Sequence, residues 1–331
     1  MLLVFSAALL FTPVLTAQLQ RFTITKEKMA APCTLILYAK DSNSADKAFT
    51  KAFALVDSLA AIFTDYTDSS ELNRLSANAG SNAAFHCSPA LFDILRQAKE
   101  AHAISNGAFD ITLGALTRYW RRARKEKQFP PADTISALLS KTGSQYLLLD
   151  TLEHTALLVL PGMRLDLGGI AQGYIAQQVM QLLPSMGINH ALMDVSGDIA
   201  CIGRPPGQRG WTIAINLPRS EHALLAKPLL ISDRAVTTSG DLYQYMEHNG
   251  KRYSHIIDPR TGYGITTQKN VTVIAADATL ADWLTKACSL LPLQKALQLA
   301  ARLRAELLIT SIENGKPVLH ASKGFARYFK K

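Results

Sequence analysis

The stretch Arg164-Leu-Asp-Leu-Gly-Gly-Ile-Ala-Gln-Gly-Tyr174 is the one around which the rest of the chain is expected to fold. Apolar residues at 155–160 predict a strand before it, and residues 174–183 predict a helix after it. Between them lie a carboxylate and three glycines: Asp166, Gly168, Gly169 and Gly173. Glycine lets the backbone approach a ligand closely, and a helix N-terminus attracts anions, so the stretch could cradle a phosphate. A tight turn that binds nothing is the alternative, because one glycine-rich turn is weak evidence.

Length and composition set the outer bounds. The chain has 331 residues, of which 48% are hydrophobic and 18% charged, enough for one large domain or two small ones. Residues 1–17 carry no charge and end in small residues, which predicts a signal peptide followed by one continuous domain over 18–331. A buried N-terminal strand or helix is the alternative. We therefore expect an exported protein, in the periplasm or at the outer face of the inner membrane.

The formal net charge is +9, and much of it lies in the run Arg118-Tyr-Trp-Arg-Arg-Ala-Arg-Lys-Glu-Lys127. No nucleic-acid-binding motif surrounds this run, so we expect a solvated helical face and no nucleic-acid partner. The same field would favour an anionic dinucleotide or an anionic membrane surface. The four cysteines are far apart and have no metal-ligand spacing, so buried free thiols are expected, although export would permit a disulfide.

Hydrophobic periodicity and turn residues predict the main elements. Strands are expected at 22–27, 33–38, 212–216, 271–275 and 306–312, with a hairpin formed by 146–150 and 155–160. Helices are expected at 44–63, 279–290 and 296–303, and another should begin at Ser88-Pro89 and end near Asn106-Gly107. Residues 121–145 are interpreted as an insertion. Asn314-Gly315 predicts a hairpin turn, and the tail 323–331 is expected to fray.

Four further segments accompany the central stretch: Val195-Ser-Gly-Asp198, Thr237-Thr-Ser-Gly-Asp241, Arg252-Tyr-Ser-His-Ile-Ile-Asp-Pro-Arg-Thr-Gly262 and Ala281-Asp282. In this order and spacing the chain resembles the ApbE-type flavin transferases, the FAD:protein FMN transferases, from about Met29 to the C-terminus. Together with the pattern of elements, the resemblance implies an ApbE-like, T-fold-like α+β protein. Its sheets should be mixed, largely antiparallel and flanked by helices.

The resemblance also implies which residues bind the flavin nucleotide. They are Met29, Tyr66, Ala108, Phe109, Asp110, Thr112, Asp166, Gln172, Asp198, Ser239, Gly240, His255, Ile256 and Arg260. Each has a plainer alternative: Met29 could be a core side chain, Asp110 could cap a turn, and Tyr66 could sit on a capped surface helix. Gln172 departs from the pattern, because relatives usually carry lysine there.

Relatives hold magnesium through a backbone carbonyl in the cradle, here Gly169, and through an aspartate, here Asp282. They also use a threonine four residues after that aspartate, but this chain has Lys286 at that position and Thr285 one residue early. On a helix, a shift of one residue turns a side chain by about 100°. We therefore expect a magnesium site that is weakened, altered or absent, with the Lys286 ammonium able to supply part of the charge.

By resemblance, the protein takes FAD, transfers FMN to a threonine hydroxyl of an acceptor redox protein and releases AMP. The acceptor threonine would lie in a motif of the Asp-x-x-Thr-Ser/Gly-Ala-Thr kind. Two residues are candidates for the chemistry: His255 as the base, with Asp258 able to orient it, and Asp282. Hydrolysis of FAD to FMN and AMP, or FAD binding without catalysis, are the alternative functions.

Overall fold

The computed structural model describes residues 18–217, 225–240, 244–313 and 316–330. The predicted signal peptide, Asp241 and the predicted turn at Asn314-Gly315 lie outside these ranges. Helices within them are α1 (Ser42–Phe63), α2 (Glu71–Ala77), α3 (Pro89–Ile104), α4 (Gly114–Glu126), α5 (Ala132–Leu139), α6 (Ala171–Leu182), α7 (Ala278–Leu290) and α8 (Leu293–Arg302).

Each strand predicted in the sequence analysis overlaps a strand in the same ranges, which also contain strands that were not predicted. The strands are β1 (Gln20–Lys28), β2 (Ala31–Ala39), β3 (Phe85–His86), β4 (Leu147–Asp150), β5 (Thr155–Leu158), β6 (Ala191–Val195), β7 (Asp198–Ile202), β8 (Trp211–Ile213), β9 (Leu229–Ile231), β10 (Ala235–Ser239), β11 (Tyr245–His248), β12 (Lys251–Ser254), β13 (Lys269–Ala275), β14 (Glu306–Glu313) and β15 (Lys316–Ala321).

One eight-stranded sheet organises the molecule, in the order β1-β2-β6-β7-β10-β13-β14-β15. Each neighbouring pair is antiparallel, with registers such as Cys33↔Val195 and Thr237↔Asp198. Along β2 the side chains alternate, so Leu35 and Leu37 are buried in one core while Ile36 packs against another. This arrangement confirms the predicted α+β fold with largely antiparallel sheets.

Helices α1, α6 and α7 cover one face of the sheet and bury the largest apolar core. The predicted stripe on α1 faces this core, with Ala48, Phe53 and Val56 among its buried residues. Helices α6 and α7 cross very closely at Gly173. A Cβ at this position would lie 2.2 Å from the Ala278 carbonyl oxygen and 2.6 Å from the Asp282 Cβ. Only glycine fits this crossing, which fixes the start of α6 against the middle of α7.

The other face of the sheet carries a second core, covered by β8, β9 and the C-terminal segment. Here the expectation of a fraying tail is wrong. Residues Phe325–Tyr328 form a short 3₁₀ turn, and the side chain of Phe325 is completely buried. Phe325 also packs edge-on against Phe329, with ring centroids 5.6 Å apart. The basic residues that suggested fraying are interspersed with aromatic residues that pack into the core on the second face of the sheet.

A third apolar cluster joins α4 and α5 to the segment 245–264. The Trp120 indole N–H donates to the Gly262 carbonyl at 2.8 Å, and the Trp120 ring stacks on Tyr253. A Cβ at Gly262 would lie 2.7 Å from Ile135, and the φ of Gly262 is +73°. Residues 121–145, interpreted from the sequence as an insertion, are thus packed against this segment. They belong to a platform that supports the loop after β12.

The four cysteines are free thiols, of which Cys33, Cys201 and Cys288 are buried and Cys87 is partly buried. In the part of the chain that the structure describes, no helix is both long enough and apolar enough to cross a membrane.

Candidate active site

Two turns and the end of a strand meet at one end of the eight-stranded sheet. The β1–β2 turn contains Met29, with φ +54°, and the β6–β7 turn contains Ser196, with φ +56°. A hydrogen bond from the Ser196 N–H to the Pro32 carbonyl, 3.2 Å, ties these turns together. Asp198 opens β7 and pairs in register with Thr237, so the end of β10 at Ser239 lies at the same edge. The sheet therefore gathers segments that are more than two hundred residues apart in the sequence.

The glycine-rich cradle runs beside the segment 108–114. The Asp166 N–H donates to the Ile111 carbonyl at 2.8 Å, and the Gly114 N–H donates to the Arg164 carbonyl at 3.1 Å. The carboxylate of Asp166 accepts the Gly168 N–H at 2.7 Å and is partly buried. The cradle and the segment 108–114, both predicted to bind the flavin nucleotide, thus form one continuous wall of the candidate site.

Within that wall, Asp110 holds the turn together, as its plainer alternative proposed. Its Oδ1 accepts the N–H and the hydroxyl of Thr112, each at 2.7 Å. Its other oxygen lies 3.5 Å from the Nδ1 of His102. Thr112 is fully buried, and its hydroxyl also accepts the Gly143 N–H at 2.8 Å. The Thr112 side chain therefore shapes the wall from behind.

Phe109 connects the wall to the cradle. A Cβ at Gly169 would lie 3.2 Å from the Phe109 ring and 3.4 Å from the Cγ of Lys286. The Phe109 ring also lies 6.0 Å from the ring of Trp283, measured between centroids. Gly169 is therefore covered by the aromatic ring of Phe109 and by the aliphatic stem of Lys286.

A buried ion pair lies where the cradle meets α7. The Asp282 side chain has no exposed surface, and its Oδ1 lies 2.6 Å from the Nζ of Lys286. Its Oδ2 accepts the Gly173 N–H at 2.9 Å, one of the N–H groups of the first turn of α6. The α6 N-terminus and the ammonium group together stabilise this carboxylate inside the protein.

Thr285, the doubtful ligand, is turned away from this pair. It is fully buried, and its hydroxyl donates to the Asp282 backbone carbonyl at 2.7 Å. The rotation of about 100° expected for a shift of one helical residue accounts for this.

Asp198 is a second buried carboxyl group at the same place. Burial and the negative charge of Asp282 raise its pKa to about 8, against the opposing effect of Lys286. The pKa of Lys286 is raised, because the attraction of Asp282 and Asp198 outweighs the effect of burial. Burial and Asp282 therefore favour the protonated form of Asp198, whereas the two neighbouring carboxyl groups favour the charged form of Lys286.

His255 follows β12. Its backbone N–H and its Nδ1 both donate to the Gln244 carbonyl, at 2.8 and 3.2 Å. A carbonyl can only accept, so Nδ1 carries the proton and the lone pair is on Nε2. Burial lowers the pKa of His255 to about 4, helped by the charges of Lys286 and Arg124. The imidazole is therefore neutral at pH 7, as a base must be.

Asp258 does not orient His255, contrary to the sequence-based expectation. Its carboxylate binds Arg260 in a two-pronged pair, at 2.9 Å to Nε and 2.7 Å to the terminal nitrogen. This pair and Ala108 line a cleft of about 490 Å³, together with residues 104–107 and parts of 290–302. Arg260 is exposed at the mouth of this cleft.

Helix α4 contributes residues that sequence analysis did not identify. Arg121 forms a salt bridge with Asp65, and its guanidinium lies 4.4 Å from the ring centre of Tyr66, whose side chain is 79% exposed. Against the opposing effect of burial, the hydrogen bond to Asp65 and the charge of Asp166 in the cradle raise the pKa of Arg121. Arg124 is partly buried close to Tyr66 and His255, and burial lowers its pKa. Two of the six basic residues of the run thus face the site, and a helical projection of its arginines was the available signal.

The remaining predicted residues are placed as follows. Met29 packs against the main core at its turn, and Gln172 is partly buried in the first turn of α6. Ser239 is buried at the end of β10, and a Cβ on Gly240 would lie 2.2 Å from the Asn270 amide oxygen. Ile256 is buried next to His255. Their roles as flavin ligands stay predictions.

The residues that the resemblance assigns to magnesium do not fit that ion in this chain. One oxygen of Asp282 holds an ammonium, the other holds an N–H group, and the Thr285 hydroxyl is bound to the helix backbone. Magnesium requires near-octahedral oxygen ligands at about 2.0–2.1 Å, which would require Lys286 to leave. Within the described residues, no group of three or more His, Cys, Asp or Glu side chains is placed to hold a metal ion.

Comparison with known proteins agrees with this fold. The model of the ApbE family matches residues 29–309, and the chain belongs to that family. The chain is 32% identical to the FAD:protein FMN transferase of Klebsiella pneumoniae over 259 residues. This aligned region covers 78% of this chain and 78% of that protein.

Solved structures give the same result. The chain is similar to the apo form of the flavinyl transferase ApbE of Pseudomonas stutzeri, with a TM-score of 0.82 and 28% identity over 94% of this chain and 97% of that one. It is also similar to the flavin transferase ApbE of Vibrio cholerae, with a TM-score of 0.84 and 24% identity over 94% and 100% of the two chains. The second likeness supports the fold alone.

Proposed function

We propose that the protein transfers FMN from FAD to an acceptor protein and releases AMP. This proposal is supported by the presence of three features at one end of the main sheet in a member of the ApbE family. They are the glycine cradle, the buried Asp282–Lys286 pair and a neutral His255. An anion-binding cradle, a fixed cation and a base are what transfer at a pyrophosphate needs.

The reaction balances without a further reactant. The acceptor threonine oxygen attacks the phosphorus that carries the riboflavin chain, and the bond from this phosphorus to the bridging oxygen breaks. AMP leaves with the electron pair of that bond, and the threonine proton passes to Nε2 of His255. The products are a flavin joined to threonine through its phosphate, AMP and a proton released to water. Such reactions depend mainly on positioning and charge neutralisation.

The nucleophile is supplied by the partner. The proposed acceptor is a redox protein with a threonine in a motif of the Asp-x-x-Thr-Ser/Gly-Ala-Thr kind. The uncharged residues 1–17 support export, so we place the protein in the periplasm or at the outer face of the inner membrane.

The test incubates the protein with FAD and an acceptor domain bearing that motif. A fluorescent acceptor band on a denaturing gel and one AMP per labelled acceptor are expected. The matched control is the same domain with its threonine replaced by valine, which should remain dark. AMP without labelled acceptor would instead indicate hydrolysis of FAD, and bound FAD without AMP would indicate a binding protein.

A further inference from the structure

We propose that Lys286 takes the place of a bound divalent cation, so that the reaction needs no divalent metal. This inference rests on the proposed function and concerns the same site. In it, the ammonium of Lys286 neutralises the FAD pyrophosphate from a fixed position on α7. The inference starts from the disagreement between the ligand set that the resemblance implies and the side chains that the chain has.

The position of the ammonium is the first argument. Lys286 follows Asp282 by one helical turn, and its Nζ lies 2.6 Å from Oδ1. Its stem runs over Gly169, where a Cβ would lie 3.4 Å from the Lys286 Cγ. The charge is therefore held between the cradle and Asp282, the two places to which the resemblance assigns magnesium ligands. The side chain of Lys286 keeps 20% of its surface exposed, so a ligand can reach it.

Electrostatic repulsion is the second argument. The Nζ of Lys286 lies 2.6 Å from the Oδ1 of Asp282, so the ammonium occupies the place from which that oxygen could bind a metal ion. A divalent ion added to this pair would lie beside an ammonium, and the repulsion between like charges would oppose it.

The third argument is that the other oxygen atoms that could bind a metal are already hydrogen-bonded. The second oxygen of Asp282 accepts the Gly173 N–H, and this contact is part of the tight crossing of α6 and α7. The Thr285 hydroxyl is bound to the backbone carbonyl of Asp282. A lysine ammonium binds phosphate as a compact point charge with three donors, so it can supply the required neutralisation directly.

The first experiment needs no variant. The protein is treated with a chelator and passed into metal-free buffer, and AMP release and acceptor labelling are measured with and without magnesium. We expect the two rates to agree within about twofold. Titration with Mn²⁺, followed by electron paramagnetic resonance of the free ion, should show no stoichiometric binding. A rate that collapses on chelation and returns with magnesium, or a tightly bound Mn²⁺, would overturn the proposal.

The second experiment exchanges the cation. Lys286→Thr places a hydroxyl one turn after Asp282 and frees an oxygen of that carboxylate. This variant should bind Mn²⁺ stoichiometrically and become dependent on magnesium, losing about 100-fold or more of its rate when the metal is removed. Lys286→Met should lose the rate in both conditions and bind no Mn²⁺. Lys47→Thr, at an exposed position on α1, is the control and should behave as wild type.

The two proposals can fail separately. If FAD binds but neither AMP nor labelled acceptor forms under any metal condition, the proposed function fails. The Mn²⁺ titrations of wild type and Lys286→Thr still decide the role of Lys286 in that case, since they need no turnover. Circular dichroism shows whether each variant is folded. Should Lys286→Thr not fold, the wild-type titration and the chelation result decide alone.

Discussion

Gly173 allows the contact that holds Asp282 in place. Its N–H donates to Asp282, and the absence of a side chain allows α6 and α7 to touch. Any Cβ at this position would overlap the Ala278 carbonyl oxygen, which lies 2.2 Å away. One residue thus controls both a helix crossing and the orientation of a buried carboxylate.

Gly173→Ala is expected to destabilise the protein by about 1–3 kcal/mol, since overpacking forces the two helices apart. It should also reduce the rate of AMP release more than the loss of folded protein explains, because Asp282 and Lys286 move with α7. Urea denaturation and the rate per folded molecule measure the two effects. Gln181→Ala, at an exposed position of α6, is the control. Unchanged stability would contradict the close crossing.

His255 predicts a pH profile. A base works only when unprotonated, and burial lowers its pKa to about 4 from an ordinary value of 6.5. The acid limb of kcat/KM for AMP release should therefore inflect near pH 4, with little change between pH 5.5 and 7. His255→Gln should cost about 10²–10⁴-fold in kcat/KM, the usual contribution of a general base. An inflection near 6.5 in the wild type would mean that the imidazole is more exposed than its contacts indicate.

At the scale of elements, α4 has two functions. Its apolar side, with Leu116 and Trp120, supports the loop that carries His255 and Gly262. Its neighbouring side directs Arg121 and Arg124 towards Tyr66. Arg121 supplies positive charge close to Asp166 of the cradle, in which the resemblance predicts a lysine at the position of Gln172.

We expect Arg124→Gln to weaken FAD binding by about tenfold or more, because a charge-assisted hydrogen bond contributes about 1.5–3 kcal/mol. The dissociation constant follows from quenching of flavin fluorescence. Arg122→Gln is the matched control, since Arg122 is exposed on the same helix and stacks on Tyr119. Equal effects of the two substitutions would mean that only the net charge of α4 matters.

The elements themselves could be predicted because their signals are local. Ser88 caps α3 and Pro89 opens it, and the apolar stripe of α1 gives its burial directly. The pairing of β10 between β7 and β13 could not be predicted, because no local pattern states which distant strands meet. The role of α4 was missed for the same reason: the sequence shows its charges but not the loop against which Trp120 packs.

At the scale of the whole molecule, the sheet separates catalysis from support. The helices and the site share one core, whereas Phe325 and the strands β8 and β9 belong to the core on the opposite face. The C-terminal segment therefore contributes to stability without contacting the cradle. The resemblance names a set of candidate site residues, and their roles as flavin ligands stay predictions. Their geometry could not be predicted, because no local pattern shows that the Asp258 carboxylate pairs with Arg260 and the Asp282 carboxylate with Lys286.

Phe325→Ala should lower the free energy of unfolding by about 3–5 kcal/mol, the usual cost of removing a buried aromatic ring. FAD affinity at a temperature where the variant is folded should stay the same, since the sheet lies between Phe325 and the site. Lys323→Ala, at an exposed position, is the control for both measurements. A loss of stability below about 1 kcal/mol would show that the C-terminal segment is frayed and contributes little to the stability of the fold.

The lysine of the ion pair on α7 is separated from threonine by a small change in the genetic code. Lysine codons AAA and AAG differ from the threonine codons ACA and ACG by a single nucleotide. Exchange of the tethered ammonium for a threonine hydroxyl at position 286 therefore lies within reach of a single nucleotide substitution.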